Sequence, residues 1–311
     1  MTSEGDHQKE EITLTGLAGG NMLAFLAALG AFRVLSLALP SEQIRMSWRS
    51  SGGAWRPVLQ FPIGRKDTWF STLVAALGKS RGIEALAFAD NPSIDAPRFL
   101  EPESAAAKSA SILDRASADF MAAFGSAAWC DDKGKVQDTA FRTMQGAGHQ
   151  HFLRSMRDLV AETSGDQIRS ALVEPWVPAD ERLGIRWDAC EDRLYALRWK
   201  NPSKETVLTV RGANRLAVEA LPLFPVAGAG SVLGTTGFTF PRRGNPRFSF
   251  PIWVPPISLD TARSLLASQL IQDEGPSNNR VRPSDLGIQA VYRCERITTG
   301  KFRNFTPAFP V

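Results

Sequence analysis

Apolar residues fill nearly every position from Met22 to Leu39, with Arg33 as the one charged interruption. A helix that is apolar on all faces is buried on most sides. Pro40 ends it, and Asn21, just after the Gly16–Gly20 turn, is its predicted N-cap. Before it, Ile12-Thr13-Leu14 alternates and predicts a short strand. After it, Ile44–Trp48 and Trp55–Leu59 flank the turn Ser50–Gly53 and predict a hairpin. Thr68–Lys79 is a predicted helix, Ile83–Phe88 a short apolar strand, and Asn91–Pro102 a loop rich in Pro and Asp. Glu103–Phe124 is Ala-rich, with Ile112, Leu113, Ala116, Phe120 and Phe124 at helical spacing. Asp131–Gly134 reads as a turn. His149–Glu162 predicts a further helix, with Phe152, Leu153, Met156, Leu159 and Val160 on one face.

The pattern changes after Glu174–Asp180, a segment with two prolines. Strands are predicted at Gly184–Trp187, Leu194–Trp199, Thr206–Val210, Phe238–Phe240, Phe248–Trp253 and Ile288–Arg296. Between them, Asn214–Leu221 is a short helix closed by Pro222, and Leu259–Ala267 is a helix capped by Ser258. The expected fold class is α+β, with mixed helices and antiparallel strands. The expected organisation is a polar tail over 1–11, a helix-rich half over 12–173 and a strand-rich half over 182–311, arranged as one continuous domain or as two subdomains.

Composition adds little to the class: 311 residues, 43% hydrophobic and 22% charged, are ordinary for a folded chain. Gly30, Arg33 and the alanines make the long apolar stretch a better buried helix than a membrane span. Met1–Glu11 is polar and lacks the basic start and apolar run of a secretory signal. Cys130, Cys190 and Cys294 are odd in number, far apart and never in a CxxC pair, so the ordinary use of each is a free buried thiol. A cytoplasmic protein without membrane contact is the expectation. Charge does change the picture. Arg182–Val311 carries 18 Lys and Arg against 10 Asp and Glu, whereas Met1–Glu181 carries 18 against 22. The second half is therefore the basic one, as a polyanion-facing surface requires.

No catalytic constellation is visible. The three histidines are His7, His149 and His151, no His-Asp dipeptide occurs, and His149 and His151 do not share a helical face. Gly78-Lys79-Ser80 matches the end of a phosphate-binding loop, but Leu73 stands where the first glycine belongs, and the segment ends a helix instead of opening one. No GxSxG elbow is present. The expectation is a protein that is not an enzyme, with no cofactor and no metal.

Three segments carry a family resemblance. Gly16-Leu17 followed by Asn21-Met22-Leu23-Ala24-Phe25-Leu26-Ala27-Ala28-Leu29-Gly30-Ala31-Phe32-Arg33 resembles the N-terminal signature of CRISPR-associated proteins of subtype I-G, formerly I-U. That group includes a large effector subunit and smaller proteins encoded with it. Phe250-Pro251-Ile252-Trp253, with Pro256-Ile257-Ser258-Leu259-Asp260-Thr261 and Leu265-Leu266, is similar to a later segment of the same group. Tyr195–Lys200 and Val210–Ala217 resemble the middle of its smaller members. The resemblance implies a non-catalytic subunit or accessory protein of a guide-RNA complex in antiviral defence. Its implied partners are the effector-complex proteins and an RNA or DNA backbone, since in such systems base pairing reads sequence while protein holds backbones. The alternative is a protein-interaction module attached to the effector or to the helicase-nuclease without nucleic-acid contact.

The candidate backbone contacts are the densest basic groups of the second half: Lys200 with Lys204, Arg211 with Arg215, Arg242-Arg243 with Arg247, and Arg280 with Arg282. Arginine suits phosphate because its planar fork donates two hydrogen bonds at once. Gly212 would permit close approach of a backbone, and the start of the Asn214 helix would offer N–H groups to an anion. Phe248 and Trp253 serve either core packing or base stacking.

Overall fold

The computed structural model describes residues 9–86, 115–130, 133, 136–144, 151–181, 184–189, 208–229, 232–272, 281–299 and 302–311. Strand β1 (Glu10–Thr13) leads through the Gly16–Gly20 turn into helix α1 (Met22–Ala38). Asn21 caps that helix, accepting from Ala24 N at 3.0 Å. Strands β2 (Arg45–Ser51) and β3 (Ala54–Phe61) form the expected hairpin, and β1 pairs with the far side of β3, giving a three-stranded antiparallel sheet. Helix α2 (Trp69–Lys79) follows. The apolar segment after it is not a strand: Glu84–Leu86 is a 3₁₀ turn. Ala116–Phe124 is helix α3; the rest of the Ala-rich stretch, and the Asn91–Pro102 loop, lie outside the described residues. Of the Asp131–Gly134 turn only Lys133 is described. Strands β4 (Gly125–Cys130) and β5 (Val136–Asp138) make a small hairpin.

Helices α4 (Phe152–Glu162) and α5 (Gly165–Val173) complete the first half. Residues 184–189 are irregular instead of the expected strand, with Arg186 in a left-handed conformation at φ 63°. The expected strand at Leu194–Trp199 and most of that at Thr206–Val210 fall outside the described residues; Thr209 makes an isolated bridge to Asp180. Helix α6 (Arg211–Ala220) starts three residues earlier than its apolar spacing suggests. Then come hairpin β6 (Val226–Ala229) and β7 (Val232–Thr235), and a second sheet built from β8 (Phe238–Thr239), β9 (Arg247–Trp253), β10 (Ile288–Thr299), β11 (Phe302–Phe305) and β12 (Phe309–Pro310). Helices α7 (Leu259–Leu266) and α8 (Gln269–Gln272) lie between β9 and β10, and Ser258 caps α7 by accepting from Thr261 N. The chain is α+β, with antiparallel pairing throughout the described sheets.

The core runs through both halves of the chain. Every residue from Met22 to Leu35 of α1 is buried, and so is every residue of α6. The two helices cross at a close approach made possible by Gly30, where a Cβ would stand 1.8 Å from Leu216 O. Phe25 stacks on Trp48 of the first sheet and meets Phe250 of the second at a tilt, centroids 4.6 Å apart, and Trp253 meets Trp48 edge-on at 6.1 Å. A second aromatic group joins Phe141, Phe224, Phe238 and Phe248. The first sheet is tied to the segment between β9 and α7, where Met46 and Ile257 exchange backbone hydrogen bonds, each at 3.0 Å. Among the described residues no helix is long and apolar enough to cross a membrane.

Candidate nucleic-acid interface

The basic residues chosen from sequence part company in the fold. Lys200, Lys204 and Arg280 lie outside the described residues. Arg211 and Arg215 are corrections to the sequence expectation, because both are buried on α6. Arg211 pairs with Asp180 at 3.4 Å and Glu162 at 3.0 Å and donates to Asp158 O. It is a strut between α4, the Asp180 segment and α6. Arg215 pairs with Glu219 at 2.8 Å and donates to Leu77 O. Glu219 also accepts from Ser80 Oγ at 2.6 Å and pairs with Arg33 at 3.2 Å. The Arg33 guanidinium lies 5.4 Å from the Phe120 ring centroid, and burial pulls it below the usual arginine range. Gly212 has the same fate: a Cβ there would meet Gln167 O at 2.0 Å, so the glycine admits α5 and not a ligand. Phe248 and Trp253 are fully buried, Trp253 donating to Met46 O, so core packing is their use.

Arg242, Arg243 and Arg247 stay together, at one end of the second sheet. The loop from β8 to β9 carries Arg242, Arg243 and Gly244 exposed, and Gly244 turns it with φ 107°. Its base is fixed. Glu295 of β10 takes Arg247 Nε at 3.0 Å and Asn245 Nδ2 at 3.3 Å, and Arg296 N donates to Pro246 O at 2.8 Å. Neither Arg242 nor Arg243 makes an ion pair among the described residues. Arg282 is exposed but sits before the opposite end of β10, where it pairs with Asp285 at 3.6 Å. A strand rises about 3.3 Å per residue, so the length of β10 keeps Arg282 away from the loop.

Behind the loop the fold assembles arginines that sequence reading missed. The register Arg296↔Phe305 and Thr298↔Arg303 puts Arg296 and Arg303 on one face of the β10–β11 hairpin, the face that also carries buried Cys294 and Phe305. Opposite them, Asp138 at the end of β5 pairs with Arg142. Arg142 also donates Nε to Met144 O, and Arg296 donates Nη1 to Ala140 O at 2.9 Å. Burial, with Arg303 beside it, pushes Arg296 down to about 10, and burial lowers Arg303 as well; Asp138 opposes both shifts. Arg186 reaches this end too, donating to Asn304 Oδ1 of β11 at 3.1 Å. Its left-handed backbone is held by Thr143 Oγ1 on Ile185 O and Trp187 Nε1 on Phe141 O.

Other concave surfaces offer less. A cavity of about 620 Å³ opens beside the first sheet, lined by Lys9, Glu42, Arg45, Gln60, Phe61 and Ile63. Among the described residues no three His, Cys, Asp or Glu side chains are grouped to hold a metal ion. His151 precedes α4, while His7 and His149 lie outside the described residues. Comparison with family models, curated proteins and solved structures yields no match.

Proposed function

We propose that this protein is a non-catalytic CRISPR-associated subunit of subtype I-G that lays the Arg242–Arg243 end of its second sheet along the phosphate backbone of guide RNA or target DNA. The assignment to that system comes from the resemblance of the Asn21–Arg33, Val210–Ala217 and Phe250–Thr261 segments. The backbone contact is carried by one observation: two adjacent arginines, exposed and without a carboxylate partner among the described residues, on a loop whose base is fixed by Glu295. Exposed arginines on a rigid frame suit phosphate recognition, because the fork is held out to solvent without a competing internal ion pair.

Fluorescence anisotropy of labelled RNA and DNA across a salt series tests this. Wild-type affinity should fall steeply with salt, and Arg242→Glu with Arg243→Glu should weaken binding while leaving the melting temperature unchanged. Loss of two phosphate contacts should flatten the log–log salt slope by about 1.4 on single strands and about 1.8 on duplex. Salt-independent binding, or an unchanged slope in the double variant, would refute the backbone contact. Recovery of effector-complex proteins by a chain that binds no nucleic acid would favour the protein-interaction module instead.

A further inference from the structure

We propose that Arg296, with Arg303 and Arg142, forms a half-buried site that holds a single phosphate group at this same end of the sheet. Three guanidiniums converge there from β10, β11 and the segment after β5, and Asp138 is the carboxylate that the described residues place among them. Arg142 and Arg303 have further contacts of their own, so the decisive donor is Arg296. One of its Nη atoms is satisfied by Ala140 O, but its Nε–H is buried and finds no acceptor among the described residues. A buried cationic donor left unmet is costly, and side chains that share a face across two strands destabilise each other when both carry the same charge. A group supplying several anionic oxygens would meet the unmatched donor and separate Arg296 from Arg303. Phosphate has that geometry, and arginine forks match it.

Burial, with Arg303 beside it, lowers the proton affinity of Arg296, and Asp138 opposes the shift only in part. The site also lies next to the exposed loop, because the Arg296 N–H holds Pro246 O at the loop's base. That the phosphate belongs to a nucleic-acid chain rests on the function proposed above. A strand following Arg242 and Arg243 would either turn one phosphodiester inward or end there with a terminal phosphate.

Inorganic phosphate is the first probe, titrated at constant ionic strength against chloride while thermal unfolding is followed. Wild-type protein should gain melting temperature in a saturable way. Arg296→Gln should abolish the gain, Arg296→Lys should weaken apparent affinity at least about tenfold, and the Arg242→Glu, Arg243→Glu variant should respond like wild type. If Arg296→Gln does not fold, Arg303→Gln on the edge strand takes its place in the comparison. Strands of one sequence with a 5′-phosphate or a 5′-hydroxyl then separate the sources. Tighter binding of the phosphorylated strand, lost in Arg296→Gln, identifies a terminal phosphate; equal binding, lost in Arg296→Gln for both, identifies an internal phosphodiester. No phosphate effect beyond chloride, or an unchanged effect in Arg296→Gln and Arg303→Gln, overturns the site. A saturable, Arg296-dependent phosphate effect without any oligonucleotide binding upholds the site and instead overturns the nucleic-acid reading.

Discussion

Glu219 is held from three sides, by Arg33, Arg215 and Ser80, in the middle of the protein. Buried ion pairs contribute little net stability when intact, but removing one partner leaves an uncompensated charge. Glu219→Ala would leave two arginines facing each other without water, so it should cost about 3–5 kcal/mol, read by urea unfolding. The exposed pair of Arg49 with Glu11 should behave differently. Hydrogen bonds from Arg49 and Gln60 hold the Glu11 carboxyl below its ordinary value of 4.5. Its contribution should therefore be present above pH 4.5 and vanish as the pH falls through the lowered value. Comparing Glu11→Gln with wild type across that range should show a difference of only about 0.2–1 kcal/mol at neutral pH, shrinking with added salt. Single arginines are the least legible residues in this sequence. An i,i+4 glutamate such as Glu219 is legible beside Arg215, but it suits a solvated helix face as well; what buries the pair, Arg33, Ser80 and Leu77 O, comes from elsewhere in the fold, while Arg243 stays exposed.

At the scale of elements, strong periodicity and good caps make structure readable. Helix α1 with Asn21, the β2–β3 hairpin, and α7 with Ser258 all lie where the hydrophobic pattern puts them. Helix α5 is not among the predicted elements: a Ser164 and Gln167 capping box opens it, but its hydrophobic spacing is weak. Helix α6 defeats the pattern in a different way. Its Arg, Asn and Glu positions suggest a solvated side, yet they are buried among α1, α4 and α5, where they meet one another, backbone groups, and Arg33, Ser80, Glu162 and Asp180 from other segments. The β10–β11 register puts Arg296 and Arg303 on one face, but only β10 is predicted as a strand, and the Arg142 segment facing them has no periodicity to read. The close crossings give a direct check. Gly212→Ala must push α6 away from Gln167 O, which should cost about 1–3 kcal/mol by overpacking, measured by thermal or chemical unfolding.

Across the whole molecule, the change in charge near Glu174–Asp180 does not coincide with a break in packing. Helix α6, from the basic half, lies against α1, α4 and α5 of the acidic half, and one apolar cluster extends from Leu14 to Phe305. Fragments ending at Val173 or starting at Glu174 would each expose one side of that cluster. Expressed separately, both should be insoluble or unfolded by circular dichroism, and co-expression should restore a folded complex if the split is tolerated at all. The charge asymmetry thus arises within a shared core, so the basic end of the second sheet is carried on a frame that the acidic half helps to build.

The exchange of backbone hydrogen bonds between Met46 and Ile257 has a kinetic corollary. One of these amides lies in β2 and the other in the segment between β9 and α7, yet releasing either parts the aromatic group of Phe25, Trp48, Phe250 and Trp253 beside them, since Trp253 also donates to Met46 O. Their deuterium uptake should follow global unfolding rather than local fraying, and at matching opening energies. Slow, equal labelling at both positions would mark the seam as the last part of the molecule to melt.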